Sequence, residues 1–235
     1  VPHEDEIAGL EQAYRVQAEV TAALSAARPG RRIAGYKIAF NRPSSRDYYG
    51  LPEPCYAPLF SDEIHASGVS LDKADFLDPV IEPEIAIRLA APLTGPEDDA
   101  ALRAAVAAFL PAIELMDVRG AFAHDPGAAA AVAQRIYSRG AVLGAGPAGM
   151  AVDAAGIVAR LTVDGAVAGE AKGAAPQPPL EALGWLNARL AKDGLPLERG
   201  MVVLTGSHLP GFAMERSGLV TVDMEPLGSV SVAFV

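Results

Sequence analysis

Cysteine is nearly missing. Cys55 is the one thiol in 235 residues, which excludes an intrachain disulfide and a cysteine-rich zinc site. Basic residues are scarce: 19 Lys and Arg stand against 29 Asp and Glu, a formal net charge of −10. Nucleic acid is therefore not expected as a partner, because phosphate contacts need a surplus of Lys and Arg. A small anionic ligand stays open, since one local lysine or a bound cation can hold it. No run of about 18 apolar residues is present, and the opening Val-Pro-His-Glu-Asp-Glu is acidic where a secretory signal is basic. The expectation is a cytoplasmic chain with no membrane partner. Aromatic residues are only 6% of the chain, yet 51% is hydrophobic and 20% charged, the balance of a packed core and not of a disordered chain. Glycine and proline, 23 and 19 residues, exceed their usual combined share of about 12%. So many turns favour a β-rich core.

Residues 5–27 repeat apolar side chains at three- and four-residue steps (Ile7, Leu10, Tyr14, Val20, Leu24) and predict an amphipathic helix stopped by Pro29-Gly30. Residues 33–40 read as a short apolar strand that contains Lys37. Residues 41–58, with Pro43, Pro52, Pro54 and Pro58, read as a long loop, and a loop of that length in a compact domain tends to be functional. A strand is predicted over 80–89, a helix over 96–110 with acids near its positive end, a strand over 112–116, an alanine-rich helix over 126–135 and a short strand over 141–143. The last third predicts a hairpin around Asp164-Gly165, a helix over 180–192, a strand over 201–204 and a closing pair, 219–224 with 229–235. The order is α+β without regular βαβ alternation. It is read as one domain over 1–235, with the N-terminal helical segment, residues 1–30, packed on the β core.

Residues 144–149, Gly-Ala-Gly-Pro-Ala-Gly, match the dinucleotide fingerprint G-x-G-x-x-G. That motif works only where its glycines open a helix that receives the pyrophosphate. Here a hairpin follows within about ten residues, so the run reads as a glycine-rich connection between strands.

The stretch Val80-Ile81-Glu82-Pro83-Glu84-Ile85-Ala86-Ile87 is the most informative. On a strand, alternate side chains share a face, so Glu82 and Glu84 stand together, about 6.5–7 Å apart, opposite Ile81, Ile85 and Ile87. Two carboxylates in an apolar strand are costly unless a partner compensates them, and a divalent cation held by oxygen ligands does so. The alternative is a half-exposed strand whose glutamates face water. Pro83 lacks an amide donor, which predicts an edge strand or a bulge. Glu114, within Ala112-Ile113-Glu114-Leu115-Met116, has the same apolar setting and can complete a three-carboxylate site suited to Mg²⁺ or Mn²⁺. Lys37 lies opposite the apolar face of Tyr36, Ile38 and Phe40. It is either a solvated outer residue or a buried cation with anionic partners.

Seven segments occur in one order: Gly35-Tyr36-Lys37-Ile38, Leu59-Phe60-Ser61-Asp62, Glu82-x-Glu84-Ile85-Ala86, Pro111-Ala112-Ile113-Glu114, Val142-Leu143-Gly144, Thr205-Gly206-Ser207 and Leu227-Gly228-Ser229-Val230-Ser231-Val232. The set resembles the group of 2-keto-4-pentenoate hydratases, 2-oxo-hepta-3-ene-1,7-dioate hydratases and 4-oxalocrotonate decarboxylases in the fumarylacetoacetate hydrolase superfamily. The resemblance implies a mixed β-roll or barrel core flanked by helices. It implies Mg²⁺ or Mn²⁺ on Glu82, Glu84 and Glu114. It also implies a lyase of aromatic catabolism that hydrates a 2-keto-4-enoate, with Lys37 at the substrate oxygens, Asp62 as acid/base and Thr205, Gly206 and Ser207 as substrate donors. Alternatives are decarboxylation of a 2-oxo-hexenedioate, C–C hydrolysis of an acylpyruvate, or a catalytically silent scaffold. The chain is expected to be a homo-oligomer, or to associate with a related decarboxylase or hydratase.

One segment departs from the family pattern. Where small polar residues are usual, this chain has Gln134-Arg135-Ile136-Tyr137-Ser138-Arg139-Gly140. A guanidinium fits a second carboxylate in a bidentate fork, so Arg135 is expected to bind extended, dicarboxylic substrates. Glu63 and His65 read as incidental neighbours, and His124 and His208 as surface or loop residues.

Overall fold

In the computed structural model, which describes residues 7, 9–147 and 152–235, two sheets form with helices at their margins. Along the chain come α1 (Leu10–Ala26), β1 (Ile33–Ala39), α2 (Pro43–Tyr49), β2 (Cys55–Phe60), β3 (Ile64–Ala66), β4 (Val69–Leu71), β5 (Pro79–Leu89), α3 (Asp99–Ala105) and β6 (Val106–Asp117). Then follow α4 (Ala121–His124), α5 (Gly127–Ala133), β7 (Ser138–Leu143), β8 (Val158–Val163), β9 (Ala166–Lys172), α6 (Pro179–Lys192), β10 (Val202–Ser207), β11 (Phe212–Ala213), β12 (Gly218–Glu225) and β13 (Gly228–Phe234). The first sheet runs β2-β1-β10-β5-β6-β7-β3 with β11 beside β5, and the second runs β4-β13-β12-β8-β9. Three pairs, β1/β10, β3/β7 and β4/β13, are parallel. This is the expected mixed α+β arrangement, with one correction. Among the described strands the first sheet ends at β2 and β3 and does not close into a barrel.

The alternation read on β5 sorts its residues between two packed faces. Ile81, Ile85 and Ile87 join Ile113 and Leu115 of β6, Leu183, Leu186 and Leu190 of α6, and Val220, Val222, Val230 and Val232 of the second sheet. Burying each such side chain contributes roughly 1.5–3 kcal/mol. The opposite face is built from smaller residues: Ala86, Ala112 and Ala141 beside Leu59, Leu143 and Leu204. Helix α1 sets Ala13 and Val16 against Cys55, Ala57, Val132 and Ala133. Its buried Gln17 donates to the carbonyls of Tyr56 and Val132, at 3.1 and 2.8 Å, and so fastens α1 to both β2 and α5.

Several expectations are corrected. Segment 41–58 is not a loop throughout. Pro43 opens α2, Gly50 ends it in the left-handed region, and β2 pairs with β1. The helix expected over 96–110 stops at Ala105. It begins at Asp99, later than the expected Pro96, with the Asp98 carboxylate accepting from the Ala101 amide at 2.8 Å. Beyond it, Val106 onward enters a strand between β5 and β7, where tertiary pairing overrides the helix preference of alanine. Pro83 sits on a central strand, not an edge. The irregularity lies on its neighbour: β10 pairs Leu204 with Ala86 and Ser207 with Glu84, so Thr205 and Gly206 bulge opposite Ile85. Of the glycine-rich run, Gly149 lies outside the described residues. A side chain on Gly144 would strike the Ser229 carbonyl oxygen at 2.4 Å, and one on Gly146 that of Phe109 at 2.0 Å. These glycines serve close backbone packing, and residues 144–147 open no helix. The Asp164-Gly165 hairpin forms as read, with positive φ at both turn residues. No helix among the described residues is long and apolar enough to cross a membrane.

Candidate metal centre

Strand register brings the three glutamates together. Glu82 on β5 lies directly across from Glu114 on β6, and Glu84 follows Glu82 by two residues on the same face. One carboxylate oxygen from each lies within 4.8 Å of the others. Glu84 and Glu114 are buried and Glu82 is half-buried. Burial and the adjacent Glu114 push Glu82 up to about 7, and burial, Glu114 and Glu82 hold Glu84 well above the usual carboxylate range. Three hard oxygen donors in mutual repulsion fit a small divalent cation, which removes the repulsion that the bare fold carries.

The β10 bulge aims its backbone at this cluster. The amide of Gly206 donates to Glu84 Oε2 at 2.7 Å. Gly206 has φ +107, and a side chain there would meet the Asn41 amide group at 2.6–2.7 Å and Pro176 at 2.5 Å. Glycine is thus required twice over, for its backbone angle and for space. Lys37 is buried, and its ammonium pairs with Glu114. In the sheet it shares a row with Leu204 and Ala86. Of its two readings, the buried cation is the one observed.

A cavity of about 740 Å³ opens onto the cluster, lined by Lys37, Arg42, Ile136, Tyr137, Gly206, Ser207 and His208 among others. Lys37, Gly206 and Ser207 thus line one cavity with the three glutamates. Thr205 does not: its hydroxyl donates to the Ile85 carbonyl at 2.8 Å and holds the bulge. Asp62 also stands elsewhere. Arg31 grips it with two nitrogens, at 2.8 and 2.6 Å, and Arg28 adds a third contact at 3.0 Å. These arginines hold its carboxyl down to about 2, so it carries no proton to exchange at neutral pH. Arg135 is likewise engaged away from the cavity, on Glu63 at 2.7 Å, on the Pro58 carbonyl at 3.0 Å and over the Phe60 ring. The cause is its backbone. Arg135, Ile136 and Tyr137 have φ of 56°, 48° and 58°, a left-handed turn that sends Ile136 and Tyr137 to the cavity and Arg135 to the other side. Glu63, read as incidental, is the partner of this buried arginine.

Two cavity residues escaped the sequence reading. His208 is buried, not superficial, and burial together with Arg42 pushes it down to about 4. Arg42 was hidden in the segment read as loop, although it follows the Lys37 strand closely.

No protein-family model matches the chain. A 2-keto-4-pentenoate hydratase of Paraburkholderia phymatum is 33% identical over 225 residues, spanning 94% of this chain and 85% of its own. Among solved structures, 4-oxalocrotonate decarboxylase from Pseudomonas putida G7, complexed with magnesium and adipate, superposes with a TM-score of 0.86 at 28% identity, over 97% of this chain and 86% of its own. Fumarylpyruvate hydrolase from Pseudomonas aeruginosa, in complex with Mn²⁺ and pyruvate, shares the fold: TM-score 0.62 at 16% identity, over 85% and 88%.

Proposed function

From the premise that the chain belongs to the 2-keto-4-pentenoate hydratase and 4-oxalocrotonate decarboxylase family of metal-dependent lyases, we propose that Glu82, Glu84 and Glu114 hold one Mg²⁺ or Mn²⁺ ion and that the chain hydrates a 2-hydroxydienoic or 2-keto-4-enoic acid. The carboxylate triad is the observation that carries this reading. It is supported by the magnesium in the decarboxylase relative. A divalent cation bound there supplies Lewis-acid polarisation of a 2-oxo acid.

The chain's own groups do the rest. Lys37 places a fixed positive charge at Glu114, at the cavity floor, and so lowers the cost of bringing a substrate carboxylate to an acidic site. The Gly206 amide orients Glu84 through its hydrogen bond. Ser207 faces the cavity, with its hydroxyl donating to the Leu209 carbonyl at 2.5 Å, and its oxygen remains able to accept. Apolar Ile136, Met116 and Phe122 line the same cavity and favour a hydrocarbon chain between polar ends. We place no acid–base step on Asp62, which its arginines keep ionised. Decarboxylation is the second reading, supported by the 28% identity to the decarboxylase. Assembly with copies of itself or with a related lyase also belongs to the proposal, supported by the exposed Leu77, Val167 and Leu219, and light scattering on a sizing column tests it.

The test of the reaction supplies Mg²⁺ with 2-hydroxypenta-2,4-dienoate and with its dicarboxylic homologue. Loss of the diene absorbance is followed alongside carbon dioxide release. Absorbance loss without carbon dioxide supports hydration, and matched release supports decarboxylation. No change with either substrate refutes both.

A further inference from the structure

Among the described residues that line the cavity, two carry positive charge, Lys37 and Arg42. Lys37 is engaged by Glu114. Arg42 is exposed and forms no ion pair among the described residues, although its charge acts on Glu82. Its Nη2 donates to two backbone carbonyls, those of Ala174 and Ser207, each at 3.0 Å. That anchoring fixes the guanidinium through one nitrogen and leaves Nη1 and Nε without acceptors among the described residues. Beside it, one residue beyond the Ser207 carbonyl that it grips, stands His208. This imidazole is 2% exposed, and neither Nδ1 nor Nε2 has a hydrogen-bond partner among the described residues. A buried polar group left so is costly in a native fold and normally marks a missing partner. Glu170, the acid that shares this cavity besides the triad, is engaged by Arg160 at 2.5 Å. One exposed cation without an ion pair and one buried imidazole without a hydrogen bond, among the described residues, thus share a cavity whose other charges are matched or await a metal.

We infer that Arg42 and His208 form a second anion subsite that binds the distal carboxylate of a dicarboxylic 2-oxo acid. The inference rests on the metal-site reading, which holds the 2-oxo end. It moves the selection of extended substrates from Arg135 to Arg42. Arg42 Nη1 can donate one charge-assisted hydrogen bond to that carboxylate, and the imidazole N–H adds a second donor. The cavity, at about 740 Å³, is far larger than a five-carbon acid needs. Removing the Arg42 guanidinium should cost a charge-assisted hydrogen bond, roughly tenfold in affinity.

The test compares two stable acids of equal chain length, 2-oxoadipate and 2-oxohexanoate, by calorimetry on the Mg²⁺-loaded protein. The wild-type chain should prefer 2-oxoadipate by about tenfold or more. In Arg42→Gln that preference should fall to within about twofold of unity, in Arg42→Lys it should be partly kept, and His208→Gln should lower it too. Circular dichroism verifies that each variant is folded. Equal wild-type affinities, or a preference that survives Arg42→Gln, overturn the subsite while leaving the metal site standing. If neither acid binds with Mg²⁺ present, the metal-site reading fails and the subsite falls with it.

Discussion

Replacing Glu84 by Gln should stabilise the metal-free protein and abolish its stabilisation by Mg²⁺. Glu84 is 1% exposed, and its oxygen lies within 4.8 Å of oxygens on Glu82 and Glu114. Glu114 is compensated by Lys37, so the uncompensated repulsion is with Glu82. Two like charges at that distance repel by about 3 kcal/mol in an effective dielectric near 20. A Gln carbonyl can still accept from the Gly206 amide, but the bond loses its charge assistance, roughly 1 kcal/mol. The net gain is about 2 kcal/mol, or about 4–8 °C in melting temperature for a chain of this size. The sign with pH follows from the raised carboxyl groups. The folded state keeps protons that the unfolded state releases, so metal-free stability falls as pH rises from the ordinary value of 4.5 through about 7 for Glu82. The advantage of Glu84→Gln should therefore be present at pH 8 and vanish near pH 5. In the wild type, Mg²⁺ at a hundred times its dissociation constant adds about 2.7 kcal/mol, and in the variant nothing. Differential scanning fluorimetry with EDTA or Mg²⁺ at both pH values measures all four states. A Glu84→Gln protein that melts no higher than wild type in EDTA at pH 8, and still gains stability from Mg²⁺, would refute the repelling triad.

Lys37→Met removes the cation from a buried pair and leaves Glu114 unmatched, so the metal-free protein should lose about 3–5 kcal/mol, and the loss should shrink when Mg²⁺ is added; chemical denaturation with and without Mg²⁺ checks this, and an equal loss in both states contradicts the shared site. Gly206→Ala forces a side chain against Asn41 and Pro176 at positive φ, so Mg²⁺ affinity should fall by roughly tenfold or more as the bulge shifts away from Glu84. Calorimetric titration reads the affinity, and an unchanged value would show that the bulge does not position the ligand.

Alternation along one strand is a local property, and it was legible. Glu82 and Glu84 had to share a face opposite Ile81, Ile85 and Ile87, whatever packed on either side. The Asp164-Gly165 hairpin and the helix at α6 were legible for the same reason, since turn chemistry and helical spacing act over a few residues. The ordered motifs extended this to Glu114 and Lys37. What only the tertiary structure decided is which side chains meet across distance in sequence. Asp62 is tied by Arg31 and Arg28, 31 and 34 residues away, and Arg135 by Glu63, 72 residues away; no periodicity records such pairings. The direction of Arg135 was set by a left-handed turn at Arg135, Ile136 and Tyr137, a backbone state these residue types disfavour and that packing imposes. The helix read over 96–110 gave way at Val106 because β5 offered a ladder from Val106 onward, and β7 a second one from Ala112 to Met116. His208 and Arg42 look like loop residues until the β10 bulge brings them to one cavity. A strand pattern determines which way a side chain points, and the assembled sheet determines what it points at.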